Sequence, residues 1–381
     1  MVSTNFAIKS INNTNIETEL ERIGFDKSYR HKAVDKFLYK TLKIFNLNCA
    51  QANILKQTAL SVGADCATHR EVITGNIEKS DAILGGSFSQ LSKIAQKLKH
   101  QPFSLGLLGE QITAQLTEKH NKTKIVGILN ITSNSFSDGG EYNSTDKACE
   151  HFTKLVQDGA DVIDIGAEST KPGASPIEAE EQIKKIMPVL EYARSKQYNI
   201  PISIDTRSSI VAQECLKNGA SIINDVSGLK YDENMTDVVA SNNATLILQH
   251  STGNQINMEE PIFTENIMDE IFFDLKRQIR HANEAGITSI IIDPGIGFDK
   301  TREDSFKIFN RIDELCTFGY PIMTGISRKS ILNIKEKPNQ EKDIFTLALN
   351  TLAIEHHIDY IRVHNVKMHR ELIDIYQNEI I

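Results

Sequence analysis

Eight short polar clusters recur between residues 130 and 365, each directly after a brief apolar run. They are Asn130 with Asp138 beyond it, Glu168 to Gly173, Asp205-Thr206-Arg207, Asn224-Asp225, Gln249-His250-Ser251, Asp293 to Phe298, Ser327-Arg328-Lys329-Ser330, and Arg362-Val363-His364-Asn365. Any one of them reads as a helix cap in a strand-to-helix turn; Asp205 and Asn224 are ordinary capping types. Eight such ends pointing into one mouth are hard to explain as caps alone.

Their chemistry sorts into two halves. Asp205, Asn224 and Asp293 offer acceptors and an amide, and carboxylates in a dry mouth must be paired or hydrogen-bonded. A flat heterocycle with several N–H donors and a guanidine-like edge would satisfy them. Lys329 could reach a carbonyl on that ring, and the Arg362 guanidinium could stack on its face. Asn130, Arg362 and His364 form the second half and can converge on phosphate, a group often bound near the last strands of a barrel. Mg²⁺ held by Asn130 and the phosphates would neutralise charge on a leaving group.

The elements that must position these residues follow from the apolar runs. Ile125 to Gly140, IVGILNITSNSFSDGG, begins as a buried strand and breaks into a polar loop. Further strands are expected at Val162–Gly166, Ile202–Asp205, Ile222–Asp225, Thr245–Gln249, Ile290–Asp293, Pro321–Gly325 and Tyr360–Val363. Amphipathic helices are expected between them, at Thr145–Gly159, Pro176–Lys196, Ser208–Asn218, Asn234–Asn242, Glu265–Ala285, Glu303–Cys316 and Lys342–His357, with Lys367–Asn378 last. Strand-then-helix alternation with short loops implies a parallel sheet. Eight units over roughly 255 residues imply an α/β fold of the (β/α)8 TIM barrel type, with a doubly wound open sheet as the alternative. The barrel is assigned to 121–381, its active site at the C-terminal ends of the strands.

Residues 1–120 read as a small α/β module. Helices are expected at Ile16–Ile23, Arg30–Leu47, Ala50–Val62 and Ser87–Leu98, with strand-like runs at Glu71–Ile77 and Asp81–Gly85. Its Asp65, His69 and Arg70 read as surface polar groups. The polar stretch Thr117–Lys124 separates it from the barrel.

Composition sets bounds. The chain has 381 residues and a formal net charge of −8, which argues against a general nucleic-acid or anionic-membrane binder. Five scattered cysteines without a CxxC pair read as reduced thiols in a cytoplasmic protein. No apolar run has the length of a membrane span, and the first residues lack a secretory signal pattern.

The barrel half resembles the dihydropteroate synthases, pterin-binding enzymes of folate biosynthesis. The resemblance rests on GILNITSNSFSDGG (127–140), GADVIDIGAESTKPGA (159–174), ISIDTRS (202–208), GASIINDVSG (219–228), IIIDPGIGFDKT (290–301), TGISRKS (324–330) and IRVHNV (361–366), in family order. Residues 52–103 look like the extra segment of longer members. The resemblance implies a transferase that joins 6-hydroxymethyl-7,8-dihydropterin diphosphate to 4-aminobenzoate and releases pyrophosphate, and a target of sulfonamides. It implies pterin contacts at Asp205, Asn224, Asp293 and Lys329, with Arg362 on the ring, diphosphate contacts at Arg362 and His364, and Mg²⁺ on Asn130. Thr170, Pro172, Phe298 and Ser330 would line the aminobenzoate pocket, and Asp138 would stabilise the forming cation. Loops 131–140 and 168–175 would close the site, and a homodimer is common in the family.

The chain departs from the family pattern in places. Ser133 and Asn134 stand where Pro and Asp are usual, Lys171 where Arg is, Gln249 and Ser251 where Met is common, and Asn365 where Asp is. These changes bear on loop closure, aminobenzoate affinity and drug sensitivity. The Ser133 and Asn134 changes motivate one competing function, a catalytically weak pterin-binding paralogue; a pterin-dependent methyltransferase module, which would not need Lys329, is a second alternative.

Overall fold

The computed structural model describes residues 7–117, 122–131, 141–168, 177–251, 266–332 and 336–376. The chain forms two compact units, Met1–Lys119 and His120–Ile381.

The first unit contains α1 (Ile16–Arg22), α2 (Arg30–Val34), β1 (Tyr39–Asn48), α3 (Cys49–Leu60), β2 (Asp65–Thr68), β3 (Lys79–Ser87), α4 (Phe88–Leu98) and α5 (Leu105–Ala114). Its strands form an antiparallel sheet in the order β1-β3-β2. Leu55, Leu84, Leu91, Ile94, Leu98 and Ile112 belong to its core. Helices α3 and α4 each start with a reciprocal capping box, Asn48 with Gln51 and Ser87 with Gln90.

Three features of this unit differ from the sequence expectation. The helix expected over Arg30–Leu47 stops at Val34, and Tyr39–Asn48 is a strand. The helical spacing of Val34, Phe37, Leu38, Leu42 and Phe45 is coincidental. Leu42 and Ile44 instead follow a period of two toward the core, and a register shift at left-handed Asn46 brings Leu47 in as well. The strand expected at Glu71–Ile77 is a 3-10 turn at Arg70–Val72 followed by a bend, with the strand just upstream at Asp65–Thr68. The Glu71 carboxylate accepts from Thr74 and Asn76 and closes that bend, leaving Ile73 exposed. Helix α5 was not expected, because Gly106 and Gly109 lower helix propensity. Gly109 is there for close packing: a Cβ would lie 2.6 Å from the Ala95 carbonyl oxygen of α4.

The second unit alternates strand and helix: β4 (Lys124–Asn130), α6 (Glu141–Gln157), β5 (Val162–Gly166), α7 (Ala179–Ser195), β6 (Ile202–Asp205), α8 (Ser209–Lys217), β7 (Ile222–Asp225), α9 (Met235–Ser241), β8 (Thr245–Gln249), α10 (Ile267–Glu284), β9 (Ile290–Asp293), α11 (Arg302–Phe309), β10 (Met323–Thr324), α12 (Asn339–Glu355), β11 (Tyr360–Val363) and α13 (Val366–Ile375). All eight strands pair in parallel in the order β10-β11-β4-β5-β6-β7-β8-β9. A parallel bridge between Ile292 and Ile322 joins the two ends, so the sheet is a (β/α)8 barrel. The seventh strand is shorter than the expected Pro321–Gly325. The helix expected over Glu303–Cys316 breaks after Phe309 into a 3-10 segment, Ile312–Phe318, whose buried Ile312 and Leu315 have the three-residue spacing of that helix.

Strand alternation sorts the barrel into two cores. Val126, Val162, Ile222, Ile247, Ile291 and Met323 form one cluster, the inner floor of the barrel. Their strand neighbours, such as Ile125, Ile163, Ile223, Leu246, Ile290 and Ile292, pack into the larger cluster with the helices. Continuing each inner row by two residues at a time leads from Val126 to Asn130, from Val162 through Asp164 to Gly166, from Ile222 to Asn224 and from Ile291 to Asp293. The inner face therefore turns from apolar to polar toward the C-terminal ends. Among the described residues no helix is long and apolar enough to cross a membrane.

Candidate active site at the barrel mouth

Strand register sets the site residues side by side. Asn130 is level with Gly166, Gly166 with Asp205, and Asp205 with Asn224; Gln249 is level with Asp293. Gly166 carries no side chain between Asn130 and Asp205, and a Cβ there would sit 3.4 Å from both.

Arg362 is the electrostatic centre. Its Nε donates to Asp164 Oδ2 and its Nη2 to Asp205 Oδ2, each at 2.6 Å. Asn224 Nδ2 donates to the same Asp164 oxygen at 3.2 Å. The Arg362 side chain is 15% exposed, Asp205 14% and Asp164 0%. One guanidinium thus serves two carboxylates that water barely reaches. Burial pushes the Asp205 carboxyl up to about 7; the Arg362 charge opposes this and the Asp164 charge adds to it. The same two carboxylates outweigh burial at Arg362 and raise its pKa, so it keeps its charge.

Lys329 and Asp293 belong to the same charged group; a Cβ on Gly325 would lie 3.8 Å from both Arg362 Cδ and Lys329 Nζ. Lys329 Nζ donates to the Ile296 carbonyl at 2.8 Å and lies 4.9 Å from the centre of the Phe298 ring. Burial pulls Lys329 down to about 8, against the Asp293 charge. Burial also raises the Asp293 carboxyl, whose Oδ1 accepts from Gly295 N at 2.7 Å. Gly295 has φ +66, and a Cβ on it would collide with the His250 carbonyl oxygen at 2.1 Å. Lys300 fixes this loop from beneath by donating to the carbonyls of His250, Gly295 and Phe298.

His364 presents a neutral imidazole. Ser327 Oγ lies 2.9 Å from its Nδ1 and also accepts from the His364 backbone N–H. In the tautomer that carries its proton on Nε2, Nδ1 accepts from the Ser327 hydroxyl and Nε2–H is left for a ligand. Burial pushes the His364 pKa down to about 3, so the ring is neutral rather than a cation.

Asn130, Asp205, Asn224, Asp293, Lys329, Arg362 and His364 all lie at strand ends or in the loops just after them, with Phe298 against Lys329. Other strand-end polar groups are structural. Asp225 accepts from Ser227 and Leu229 and shapes its own turn. Gln249 donates to the Val226 carbonyl. Arg328 and Asn365 both bind Asp343. Asp138, Thr170 and Pro172 lie outside the described residues, as do the side chain of Ser330 and most of both loops expected to close. Two residues with no assigned role in the sequence emerge as central, Asp164 and Ser327. Asp164 had a signal: one carboxylate in the otherwise apolar strand VIDIG must find a partner inside the barrel. Glu168 and Arg207 also form a forked ion pair at the rim, at 3.0 and 3.3 Å, with Arg207 stacked on Tyr231.

The donor set at Asn130 fits a hard cation that keeps most of its waters. One neutral amide stands at the strand end, and among the described residues no group of three His, Cys, Asp or Glu could cage a metal.

The mouth of the barrel thus brings together carboxylates, an amide, a lysine and an arginine. The family model described as pterin binding enzyme matches residues 126–364, and the chain belongs to that family. Its relatives there are dihydropteroate synthases. The one from Bacillus subtilis is 40% identical over 249 residues, covering 65% of this chain and 85% of its own length. A structure of the Clostridium difficile enzyme, solved in the presence of pteroic acid, aligns with a TM-score of 0.61 and 36% identity over 68% of this chain and 98% of its own. The Xanthomonas albilineans enzyme with 4-aminobenzoic acid aligns with a TM-score of 0.62 and 30% identity, over 68% of this chain and 93% of its own. A probable bifunctional folylpolyglutamate synthase/dihydropteroate synthase from Haloferax volcanii is 31% identical over 343 residues. That match covers 83% of this chain, more than the barrel unit alone, but only 40% of the relative.

Proposed function

We infer that the chain is a dihydropteroate synthase, a transferase of folate biosynthesis that condenses 6-hydroxymethyl-7,8-dihydropterin diphosphate with 4-aminobenzoate. The observation that carries the reading is the set Asp205, Asn224, Asp293 and Lys329 around Arg362, with Asn224 and Asp293 fully buried, at the mouth of a family barrel. The three acceptor-bearing side chains match the amine and ring N–H donors of a 2-amino-4-oxo pterin, and Lys329 matches its carbonyl. The planar Arg362 guanidinium, held at one edge by two carboxylates, has a face for stacking.

In the reaction the amine nitrogen of aminobenzoate bonds to the exocyclic methylene carbon. The bond from that carbon to the diphosphate oxygen breaks, pyrophosphate leaves with the electron pair, and the amine proton passes to solvent. Positive charge grows on the methylene and spreads into the dihydropterin, where the Asp205 and Asp293 carboxylates favour it. His364 offers a neutral Nε2–H to the leaving diphosphate, and Arg362 adds a fixed positive charge nearby. Asn130 would hold Mg²⁺, which would supply further charge neutralisation on the leaving group. Phe298 beside Lys329 is read as one wall of the aminobenzoate pocket, with Thr170, Pro172 and Ser330 as its other members and Asp138 near the cation.

The reading includes a homodimer. Ile344 and Leu352 are exposed at helical spacing on α12, with Phe345 beside them, an apolar face that a second copy would cover.

The test is pyrophosphate release with and without aminobenzoate. A synthase releases pyrophosphate in step with product and only weakly without the amine. A binding-only paralogue releases none, and a methyltransferase ignores both compounds.

A further inference from the structure

Asp164 touches two members of the candidate pocket and has no established part in it. It lies inside β5, one inward step below Gly166, and its side chain is wholly buried. Its Oδ2 takes both the Arg362 Nε–H and the Asn224 Nδ2–H. Its Oδ1 and the Asn224 Oδ1 are both buried without a hydrogen-bond partner among the described residues.

An amide can be turned either way, and its surroundings decide which end a ligand meets. Beside a carboxylate paired with a guanidinium the choice is forced. Only the NH₂ end of Asn224 can face Asp164; the opposite orientation sets oxygen against oxygen. The Asn224 carbonyl oxygen is then the end left for a ligand. The bond to Arg362 acts alongside this one: with Nε on Asp164 and Nη2 on Asp205, two contacts along one edge fix the guanidinium plane.

We propose that Asp164 is a positioning and specificity residue: by orienting the Asn224 amide and the Arg362 plane, it makes the pocket accept hydrogen bonds where the ring must donate them. The proposal rests on the pterin reading above. It names the feature selected, an exocyclic amine on the ring rather than a carbonyl in the same place. A ring with the carbonyl would point an acceptor at buried acceptors, and sites built for a polar partner reject such replacements strongly.

The experiment is calorimetric titration of the full chain with 6-hydroxymethylpterin and with 6-hydroxymethyllumazine, in which a carbonyl oxygen replaces the exocyclic amine. The unmodified protein should prefer the pterin by at least about a hundredfold. In Asp164→Asn an amide faces Asn224 and can pair with either end of it, so Asn224 is free to turn. The preference should then shrink by about tenfold or more, a single hydrogen bond to a charged group being worth that much. A purely structural role for Asp164 would lower the melting temperature and leave the ratio alone. Asp164→Ser, which also both donates and accepts and adds no bulk, gives a second reading if the asparagine variant does not fold. An unchanged ratio in a folded variant overturns the proposal. Failure of the unmodified protein to bind pterin overturns the functional reading itself, a different result.

Discussion

Arg328 grips Asp343 of α12 with two prongs, Nε to Oδ1 at 2.7 Å and Nη2 to Oδ2 at 2.8 Å. Arg328 has φ +59, and its neighbours reach different partners: Ser327 meets His364, and Lys329 meets the Ile296 carbonyl and the Phe298 ring. The pair therefore acts as a fulcrum for both halves of the mouth. Asp343 is 6% exposed and Arg328 25%, so the arginine retains contact with water. Arg328→Gln should cost about 1–3 kcal/mol, below the range for a fully buried pair. Burial raises the Asp343 pKa, but the Arg328 hydrogen bonds and charge overcome this and hold it below its ordinary 3.8. A depressed carboxyl stabilises the fold above its unfolded value and loses that contribution as pH falls through the folded one. Urea unfolding of both proteins at pH 7 and pH 3 is the check. The difference should shrink at pH 3, and an equal difference at both would reject the assignment.

Asn365 shares Asp343 with Arg328. Its Nδ2 donates to Asp343 Oδ2 at 3.3 Å, while its Oδ1 caps α13 by accepting from Met368 N. An aspartate here could still cap the helix, but its second oxygen would face Asp343. Asn365→Asp should therefore lower stability by about 1 kcal/mol, and Asp343→Asn in the same chain should relieve part of the loss. Melting temperatures of the two single variants and the double variant close the cycle. Strictly additive losses would mean the two side chains are independent.

The barrel was readable because its strands are short apolar runs with polar clusters at or just past their ends, and seven of the eight lie within one residue of where the runs place them. The N-terminal sheet was not. Tyr39–Asn48 fits both a helical and an alternating pattern, and only pairing with β3 decides between them. In the candidate site, residue type near a strand end singles out Asp205, Asn224, Asp293 and Arg362, which the fold brings to one mouth. It could not separate Asp225, which shapes its own turn, from Asp205. It also passed over Asp164, because mid-strand positions read as core. What singles Asp164 out is a contact to Arg362, 198 residues away in the chain.

The two units should be thermodynamically separable. Their apolar clusters share no residue. The Clostridium difficile enzyme is a chain that aligns over 98% of its length to 68% of this one, so a barrel of this kind exists by itself. Residues 120–381 produced alone should unfold in a single cooperative transition and keep pterin affinity within about threefold of the full chain. Calorimetry and pterin titration provide the measurement. A barrel that precipitates from several start points would show that the first unit completes its core.

Activity should have a narrow pH optimum set by two buried groups with opposite requirements. Asp205 must be ionised to accept from the ring, and its carboxyl is pushed up to about 7 by burial, with the Asp164 charge adding and Arg362 opposing. Activity thus rises with pH through that value. Lys329 must be protonated to donate, and burial pulls it down to about 8, so activity falls above it. The profile of kcat/KM for the pterin substrate, which reports the free enzyme, should be bell-shaped with its top between about 7 and 8. Lys329→Arg keeps the charge at every accessible pH; it should lower the maximum but remove the alkaline limb. Lys300 provides the competing explanation. Burial brings it to about 8 as well, and losing its proton would weaken its hold on the His250, Gly295 and Phe298 carbonyls. If the alkaline limb persists in Lys329→Arg and disappears in Lys300→Arg, the falling limb belongs to the support of the Asp293 loop and not to the group that meets the ring.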